Sequence, residues 1–145
     1  MIFFDSSALV KKYLAEAGSE MVKKILDSSP VFAASKIAFP EIISAFNRKY
    51  KYGDISEDEL EKAIKNFETD WICFNTVEVK DDLFPIIKRI IKTYALRGAD
   101  SIHLAAALWL RDTFKENIKF VASDVNLLKA AYEEGLKIVN PHLDK

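Results

Sequence analysis

Four acidic residues of this sequence are surrounded by apolar neighbours, whereas most of its 22 acids lie beside other charges. The four are Asp5, Glu41, Asp100 and Asp124. A carboxylate in apolar surroundings destabilises a fold unless it is hydrogen-bonded, protonated or paired with a cation. If all four converge, they cannot all remain ionised, because like charges raise one another's pKa strongly. Their residue types and contexts therefore predict a shared divalent cation.

The ligand chemistry favours a hard metal ion. Cys73 is the only cysteine of the chain, which excludes a thiolate cluster, and carboxylate oxygens suit Mg²⁺ or Mn²⁺ better than zinc. Four carboxylates in an open crevice have room for one ion, or for two about 3.5–4 Å apart across a phosphodiester. Such a site activates a water for in-line attack on phosphorus and stabilises the leaving oxygen. The pattern thus indicates a hydrolytic nuclease.

Three of the four acids also have a structural explanation as helix caps. Asp5, Asp100 and Asp124 lie at predicted helix starts, where an Asp cap stabilises the helix by about 1 kcal/mol relative to Ala. The alternative caps beside two of these acids are Ser6, Ser7 and Ser123. Taken singly, each Asp is therefore explained equally well as a cap or as a ligand.

Glu41 and His103 lie on predicted helices without a capping role. The neighbours of Glu41 one turn away are mostly small or apolar, which predicts that its side chain faces the packed side of its helix. The alternative is a buried ion pair with a distant lysine or arginine, because no basic residue lies within one turn. His103, three residues after Asp100 on the same helix face, is expected to hydrogen-bond that carboxylate, or else to lie at the core edge with a satisfied ring.

Alternating strands and helices position these residues and predict a three-layer α/β/α sandwich around a parallel sheet of about five strands. Strands are predicted near Ile2–Asp5, Val31–Ala34, Ile72–Asn75, Ile118–Ala122 and Lys137–Val139. Helices are predicted near Ser7–Glu16, Glu20–Asp27, Phe39–Tyr52, Glu57–Phe67, Leu83–Leu96, Ser101–Phe114 and Val125–Glu134. Crevices in such sheets lie at the carboxyl ends of the strands. Asp5 and Asp124 meet there if the first and fourth strands are neighbours.

Composition favours one cytoplasmic domain over residues 1–145. Half of the residues are hydrophobic and 30% are charged, no apolar stretch approaches the ~20 residues of a membrane span, and the N-terminus lacks the basic region of a signal peptide.

Because the net charge of the chain is −1, a phosphate-rich partner must be bound by local clusters of positive charge. Two clusters of basic residues are candidates for binding phosphate, and the alternative is that both are solvated helix faces. They are Arg48, Lys49 and Lys51, and Lys88, Arg89, Lys92 and Arg97.

Four features of the chain resemble motifs of the PIN-domain nucleases, and more narrowly of the VapC-type toxins of prokaryotic toxin–antitoxin pairs. They are Asp5–Leu9, Glu41 on the third helix, Ala99–Ala105, and Phe120–Asp124 followed by Leu127–Leu128 and Gly135–Pro141. The features occur in the family's order and at its spacing. The resemblance runs from Ile2 to Pro141, nearly the whole chain.

The resemblance implies a ribonuclease that hydrolyses RNA phosphodiester bonds with Mg²⁺ or Mn²⁺. The metal-binding, catalytic acids that it implies are Asp5, Glu41, Asp100 and Asp124. It also implies that Ser6 assists Asp5 and that Ser123 supports Asp124. Family members commonly form homodimers and pair with a small antitoxin, whose C-terminal segment wraps the toxin and can place a basic side chain among the acids.

Other functions fit the sequence less well. A non-catalytic PIN-like module that binds RNA or protein typically loses acids, whereas this chain keeps four; a free-standing RNA-processing nuclease without an antitoxin is a further alternative. A phosphotransfer domain of the haloacid-dehalogenase type needs a second Asp two residues after the first, where this chain has Ser7. Neither Gly-x-Gly-x-x-Gly nor Gly-x-x-x-x-Gly-Lys occurs, so the nucleotide-binding α/β folds lack support.

Overall fold

A sheet of five parallel strands forms the centre of the structure, a computed structural model that describes residues 1–28 and 31–142. The strands are β1 (Ile2–Phe4), β2 (Phe32–Ser35), β3 (Asn75–Val77), β4 (Lys119–Val121) and β5 (Lys137–Val139). Their order is β3-β2-β1-β4-β5, and every neighbouring pair is parallel. The predicted parallel sheet is thus confirmed. Because β1 and β4 are neighbours, the condition for Asp5 and Asp124 to meet is fulfilled.

Helices of the described residues cover both faces of this sheet. They are α1 (Ser6–Leu9), α2 (Ser19–Ser28), α3 (Ala38–Lys51), α4 (Glu57–Trp71), α5 (Phe84–Tyr94), α6 (Gly98–Phe114) and α7 (Val125–Glu133). Phe3 packs with α5, α6 and α7 on one face, whereas Ile2 and Phe4 pack with α1 to α4 on the other. Burial on both faces explains the continuous apolar runs of the strands and confirms the three-layer sandwich. None of the described helices combines the length and apolar character that crossing a membrane requires.

The third strand begins at Asn75, whereas the sequence pattern predicts a start at Ile72. The helix before it is longer than predicted, because Trp71 packs on Phe67 one turn earlier, with ring centroids 5.4 Å apart. Ile72 is 84% exposed in the turn after the helix. Cys73 is also exposed, although its apolar sequence neighbours favour a buried side chain. The apolar run therefore ends a helix and does not form a strand.

The first helix is much shorter than the predicted range Ser7–Glu16. After α1 the chain continues as a 3-10 turn over Val10–Lys12. The ammonium group of Lys11 is buried and pairs with the carboxylate of Glu16 (3.0 Å), which also pairs with Lys49 of α3 (3.1 Å). These ion pairs fold the segment back toward α3, which is incompatible with a straight helix to Glu16.

Candidate active site

The carboxyl edge of the sheet brings the candidate acids to the point where the strand order reverses. Asp5 directly follows β1, and its backbone N–H donates to the carbonyl of Val121 at the end of β4 (3.1 Å). Asp124 lies three residues beyond Val121 and precedes α7, while Glu41 lies on α3, which follows β2. Since β1 lies between β2 and β4, Asp5 has Glu41 on one side and Asp124 on the other. Open α/β sheets bind ligands at this position.

Asp5 is the most buried of the four acids, with 3% of its surface exposed. It caps α1: its Oδ1 accepts the N–H of Ala8 (2.9 Å), and the hydroxyl of Ser7 donates to both carboxylate oxygens (2.9 and 2.8 Å). Burial raises the pKa of Asp5 to about 6, and the nearby Asp100 adds to this, although His103, Ala8 and Ser7 oppose it. No Lys, Arg or His of residues 1–28 and 31–142 forms an ion pair with it within 4.0 Å.

Glu41 is positioned by His103 and Ser6. Its Oε1 lies 2.6 Å from Nε2 of His103 and accepts the hydroxyl of Ser6 at 3.0 Å. Burial raises the pKa of Glu41, but His103, Ser6 and the charge of Arg48 outweigh that effect and hold it below its usual value. The structure thus differs from the sequence expectation in two ways: the partner of His103 is Glu41 and not Asp100, and the hydroxyl of Ser6 bonds Glu41 instead of Asp5.

The Glu41 side chain lies at the rim of the site instead of facing the packed side, because the hydrogen bond to His103 draws it across to α6. The side chain remains 35% exposed. Its partner His103 is buried. A carboxylate only accepts hydrogen bonds, so the ring N–H must lie on Nε2. The alternative considered for Glu41, a buried ion pair with a lysine or arginine, is also not observed: its close basic partner is the histidine ring.

Asp100 and Asp124 share one basic neighbour, Arg97. Asp100 lies in the first turn of α6 and is 17% exposed, and its Oδ2 is 3.4 Å from Nη2 of Arg97. Asp124 is 37% exposed, and its Oδ2 is 4.0 Å from the same nitrogen. The Oδ1 of Asp124 accepts the N–H of Leu127 (2.9 Å). Asp5 and Asp124 are thus themselves the caps of α1 and α7, and their serine neighbours are not.

Each acid is therefore oriented toward a donor of the protein. Among the described residues, no three His, Cys, Asp or Glu side chains are grouped closely enough to hold a metal ion. The acids share one sheet edge, but they do not form a ready-made cage. What they can do chemically depends on whether an ion draws them away from these donors.

The PIN domain family profile matches residues 2–133 of the chain. The chain belongs to the PIN domain family. The match includes all four candidate acids of this PIN domain and every strand and helix except β5.

Three known proteins similar to this PIN domain are informative. Ribonuclease VapC45 of Mycobacterium tuberculosis is 29% identical over 144 residues, covering 99% of this chain and 98% of its own. A toxin–antitoxin complex from Klebsiella pneumoniae contains a chain with a TM-score of 0.67 and 18% identity, at 97% and 98% coverage. FitAcB from Neisseria gonorrhoeae gives a TM-score of 0.71 at 16% identity, with 99% and 100% coverage. At such low identity the two structures establish the fold alone.

The donor set of this PIN domain suits a hard divalent cation. The four carboxylates supply only oxygen, which is the ligand type that Mg²⁺ and Mn²⁺ prefer. The buried carboxylate of Asp5 forms no ion pair within 4.0 Å with a basic side chain of the described residues, and a buried charge of this kind needs a close partner. The hydroxyl of Ser123, next to Asp124, is buried and has no hydrogen-bond partner. These observations fit an ion or an ion-bound water at this edge.

A cavity of about 360 Å³ lies beside Glu41, between α1 and α3. It is lined by Ser6, Ser7, Val10, Pro40, Glu41, Ser44, Ala45 and Arg48. The exposed Arg48 is held toward it by a hydrogen bond from its Nη1 to the hydroxyl of Ser44 (2.9 Å). One wall of the cavity thus offers a carboxylate, a hydroxyl and a guanidinium along one face of α3.

The sequence predicts Arg48 and Arg97 only as members of two basic clusters that could meet phosphate, and Ser7 only as an alternative helix cap; none of the three is predicted as a neighbour of a particular acid. For Ser7 a local signal exists, because a hydroxyl two residues after a capping Asp is within reach of its carboxylate. Arg97 precedes Asp100 by three residues, a spacing at which side chains of opposite charge meet on a helix. The two arginines come one from each predicted basic cluster, and for Arg48 nothing in the sequence distinguishes it from its basic neighbours.

Proposed function

We propose that this PIN domain is a ribonuclease that hydrolyses RNA phosphodiester bonds with Mg²⁺ or Mn²⁺ held by Asp5, Glu41, Asp100 and Asp124. The observation that carries the proposal is the buried carboxylate of Asp5 at the strand-order reversal, which has acids on both sides and no ion pair within 4.0 Å among the described residues. The name and near-complete coverage of the relative VapC45 support the choice of RNA. We further propose that residues 1–145 act as one domain.

The acidic side chains have different roles in the proposed hydrolysis. Asp5 is fixed by Ser7 and Ala8, so its carboxylate offers oxygens in one orientation. Glu41 is kept ionised by His103 and Ser6 and faces the cavity, where it can bind a cation or accept a proton from water. When bound, Mg²⁺ or Mn²⁺ supplies positive charge that activates water and stabilises charge on the phosphate.

The direct test is metal-dependent cleavage of RNA by the purified protein, freed of any bound partner. Cleavage should require Mg²⁺ or Mn²⁺, stop on addition of EDTA, and return when the ion is restored. A matched DNA oligonucleotide is the control for substrate class. Cleavage that persists in EDTA, or no cleavage of any RNA by folded protein with either ion, would overturn the proposal.

We also propose that the chain is the toxin of a toxin–antitoxin pair and forms a homodimer. The structural relative from Klebsiella pneumoniae is part of a toxin–antitoxin complex. A basic side chain from an antitoxin would pair with the acids in place of the metal, which is a physical reason for inhibition. Co-expression with the product of an adjacent small reading frame should yield a complex without nuclease activity. Full activity of a stable complex contradicts this part of the proposal.

Arg48 is expected to contact the RNA backbone along the cavity beside Glu41. With a net charge of −1, the protein binds a polyanion through local charges, so Arg48→Gln should raise KM for RNA several-fold with little change in kcat. The slope of log KM against log salt should fall by about one. Lys51→Gln is the matched control, because it removes the same charge from the same helix outside the cavity. Equal effects of the two substitutions would refute a specific role for Arg48.

A further inference from the structure

We propose that Arg97 is an internal counter-ion of the acidic site, which competes with the metal ion and, once displaced, contacts the RNA phosphate. This inference rests on the proposed metal-dependent ribonuclease function. Arg97 places Nη2 3.4 Å from Oδ2 of Asp100 and 4.0 Å from Oδ2 of Asp124. Its Nε is also 3.4 Å from the Asp100 oxygen. No other basic side chain of the described residues lies within 4.0 Å of either carboxylate.

The contacts of Arg97 are weak compared with those of other arginines in the protein. Charge-assisted hydrogen bonds are normally about 2.7–2.9 Å long, and exposed ion pairs contribute little to stability. Arg97 is 81% exposed and its contacts are longer. By contrast, Arg89 binds Glu134 through two nitrogens at 3.0 and 2.6 Å. The charge of the two acids thus keeps the Arg97 guanidinium near both carboxylates, and no short hydrogen bond fixes it to either one.

The two carboxylates come from different elements, Asp100 from α6 and Asp124 from the start of α7. Bringing them to one edge concentrates negative charge, which a nearby guanidinium lowers. The oxygens that face Arg97 belong to the proposed metal ligands. A divalent ion bound by these carboxylates therefore competes with Arg97, and the guanidinium must shift as the ion enters.

A displaced Arg97 stays at the rim of the site, because its backbone is fixed at the start of α6. Its planar guanidinium can form two parallel hydrogen bonds to a phosphate. The same residue therefore opposes metal binding in the free protein and favours substrate binding in the loaded one. Loss of Arg97 should therefore strengthen metal binding and weaken RNA binding, whereas general damage to the fold would weaken both.

The first experiment is a calorimetric Mn²⁺ titration without RNA of wild type, Arg97→Gln, Arg97→Lys and Lys88→Gln. Arg97→Gln should bind Mn²⁺ roughly tenfold more tightly, because one positive charge near the ion is removed. Arg97→Lys keeps the charge and should stay within a few-fold of wild type. Lys88→Gln removes an exposed charge of the same cluster on α5 and should not change the affinity. Unchanged or weaker Mn²⁺ binding by Arg97→Gln overturns the counter-ion role.

The second experiment measures RNA cleavage at saturating Mn²⁺. Arg97→Gln should raise KM several-fold relative to both wild type and Lys88→Gln, and an unchanged KM overturns the phosphate contact. The two experiments separate failure of the proposed function from failure of the counter-ion role. If the wild-type protein binds Mn²⁺ but cleaves no RNA, the ribonuclease function is refuted, and the Mn²⁺ titration alone decides whether Arg97 is a counter-ion. Wild type that binds no Mn²⁺ refutes both.

Discussion

Replacing Asp5 by Asn is expected to abolish RNA cleavage and, at the same time, to stabilise the metal-free protein at neutral pH. Asparagine keeps the cap of α1, because its carbonyl can accept the N–H of Ala8 and its amide can donate to the hydroxyl of Ser7. It removes the buried negative charge that the proposed metal ion requires. Loss of a metal ligand should lower kcat/KM by more than about 100-fold. Substitution of a residue that only orients a ligand usually costs about 10- to 100-fold, and loss of the ligand itself should cost more.

The gain in stability follows from the raised pKa of Asp5. Moving this pKa from 3.8 to about 6 corresponds to roughly 3 kcal/mol. A raised pKa means that the folded protein holds the proton more strongly than the unfolded chain. The contribution to stability is therefore fully present below pH 3.8 and is lost as the pH rises through about 6. Above that pH the ionised Asp5 destabilises the metal-free fold.

Urea unfolding in EDTA between pH 4.5 and 7.5 measures this effect. The difference in unfolding free energy between Asp5→Asn and wild type should grow with pH and approach roughly 3 kcal/mol at neutral pH. Asp124→Asn is the matched control, because Asp124 also caps a helix through a 2.9 Å bond but is 37% exposed. It should change stability by less than about 1 kcal/mol. A less stable Asp5→Asn variant at neutral pH would contradict the prediction.

The sheet and the place of Asp5 and Asp124 within it were predictable from sequence. Apolar runs followed by an acid mark the ends of buried parallel strands, and such ends share one edge of a sheet. The one condition that sequence leaves open is the adjacency of β1 and β4, which the structure fulfils. The third strand was misplaced because Trp71 continues the helical packing of Phe67. Local apolar composition cannot distinguish that helix end from a strand.

The partners of the acids were not predictable from sequence. His103 shares a helix face with Asp100, but its ring meets Glu41 of another helix. That contact depends on how α3 and α6 pack, which no local pattern contains. The same holds for Arg97, whose contact with Asp124 joins residues 27 positions apart across two elements. Sequence identifies the acids, and tertiary packing decides which donors hold each of them.

Replacing His103 by Leu is expected to lower kcat about 10- to 100-fold, the usual effect of losing a residue that orients a metal ligand. His103 is a positioning residue, because its Nε2 fixes Glu41 while its Nδ1 is buried without a partner. The substitution removes one hydrogen bond but also one unsatisfied nitrogen. The two effects nearly cancel in stability, so the unfolding free energy should change by no more than about 1 kcal/mol.

A double-mutant cycle with Glu41→Gln separates positioning from general damage to the site. If His103 acts through Glu41, His103→Leu should have little further effect on kcat when residue 41 is already glutamine. The affinity for Mn²⁺ should fall in His103→Leu, and His103→Gln, which retains an N–H donor, should recover part of both losses. If His103→Leu lowers kcat by the same factor whether residue 41 is glutamate or glutamine, His103 acts independently of Glu41. Because the positioning effect is carried by one 2.6 Å contact, it should disappear together with the Glu41 carboxylate.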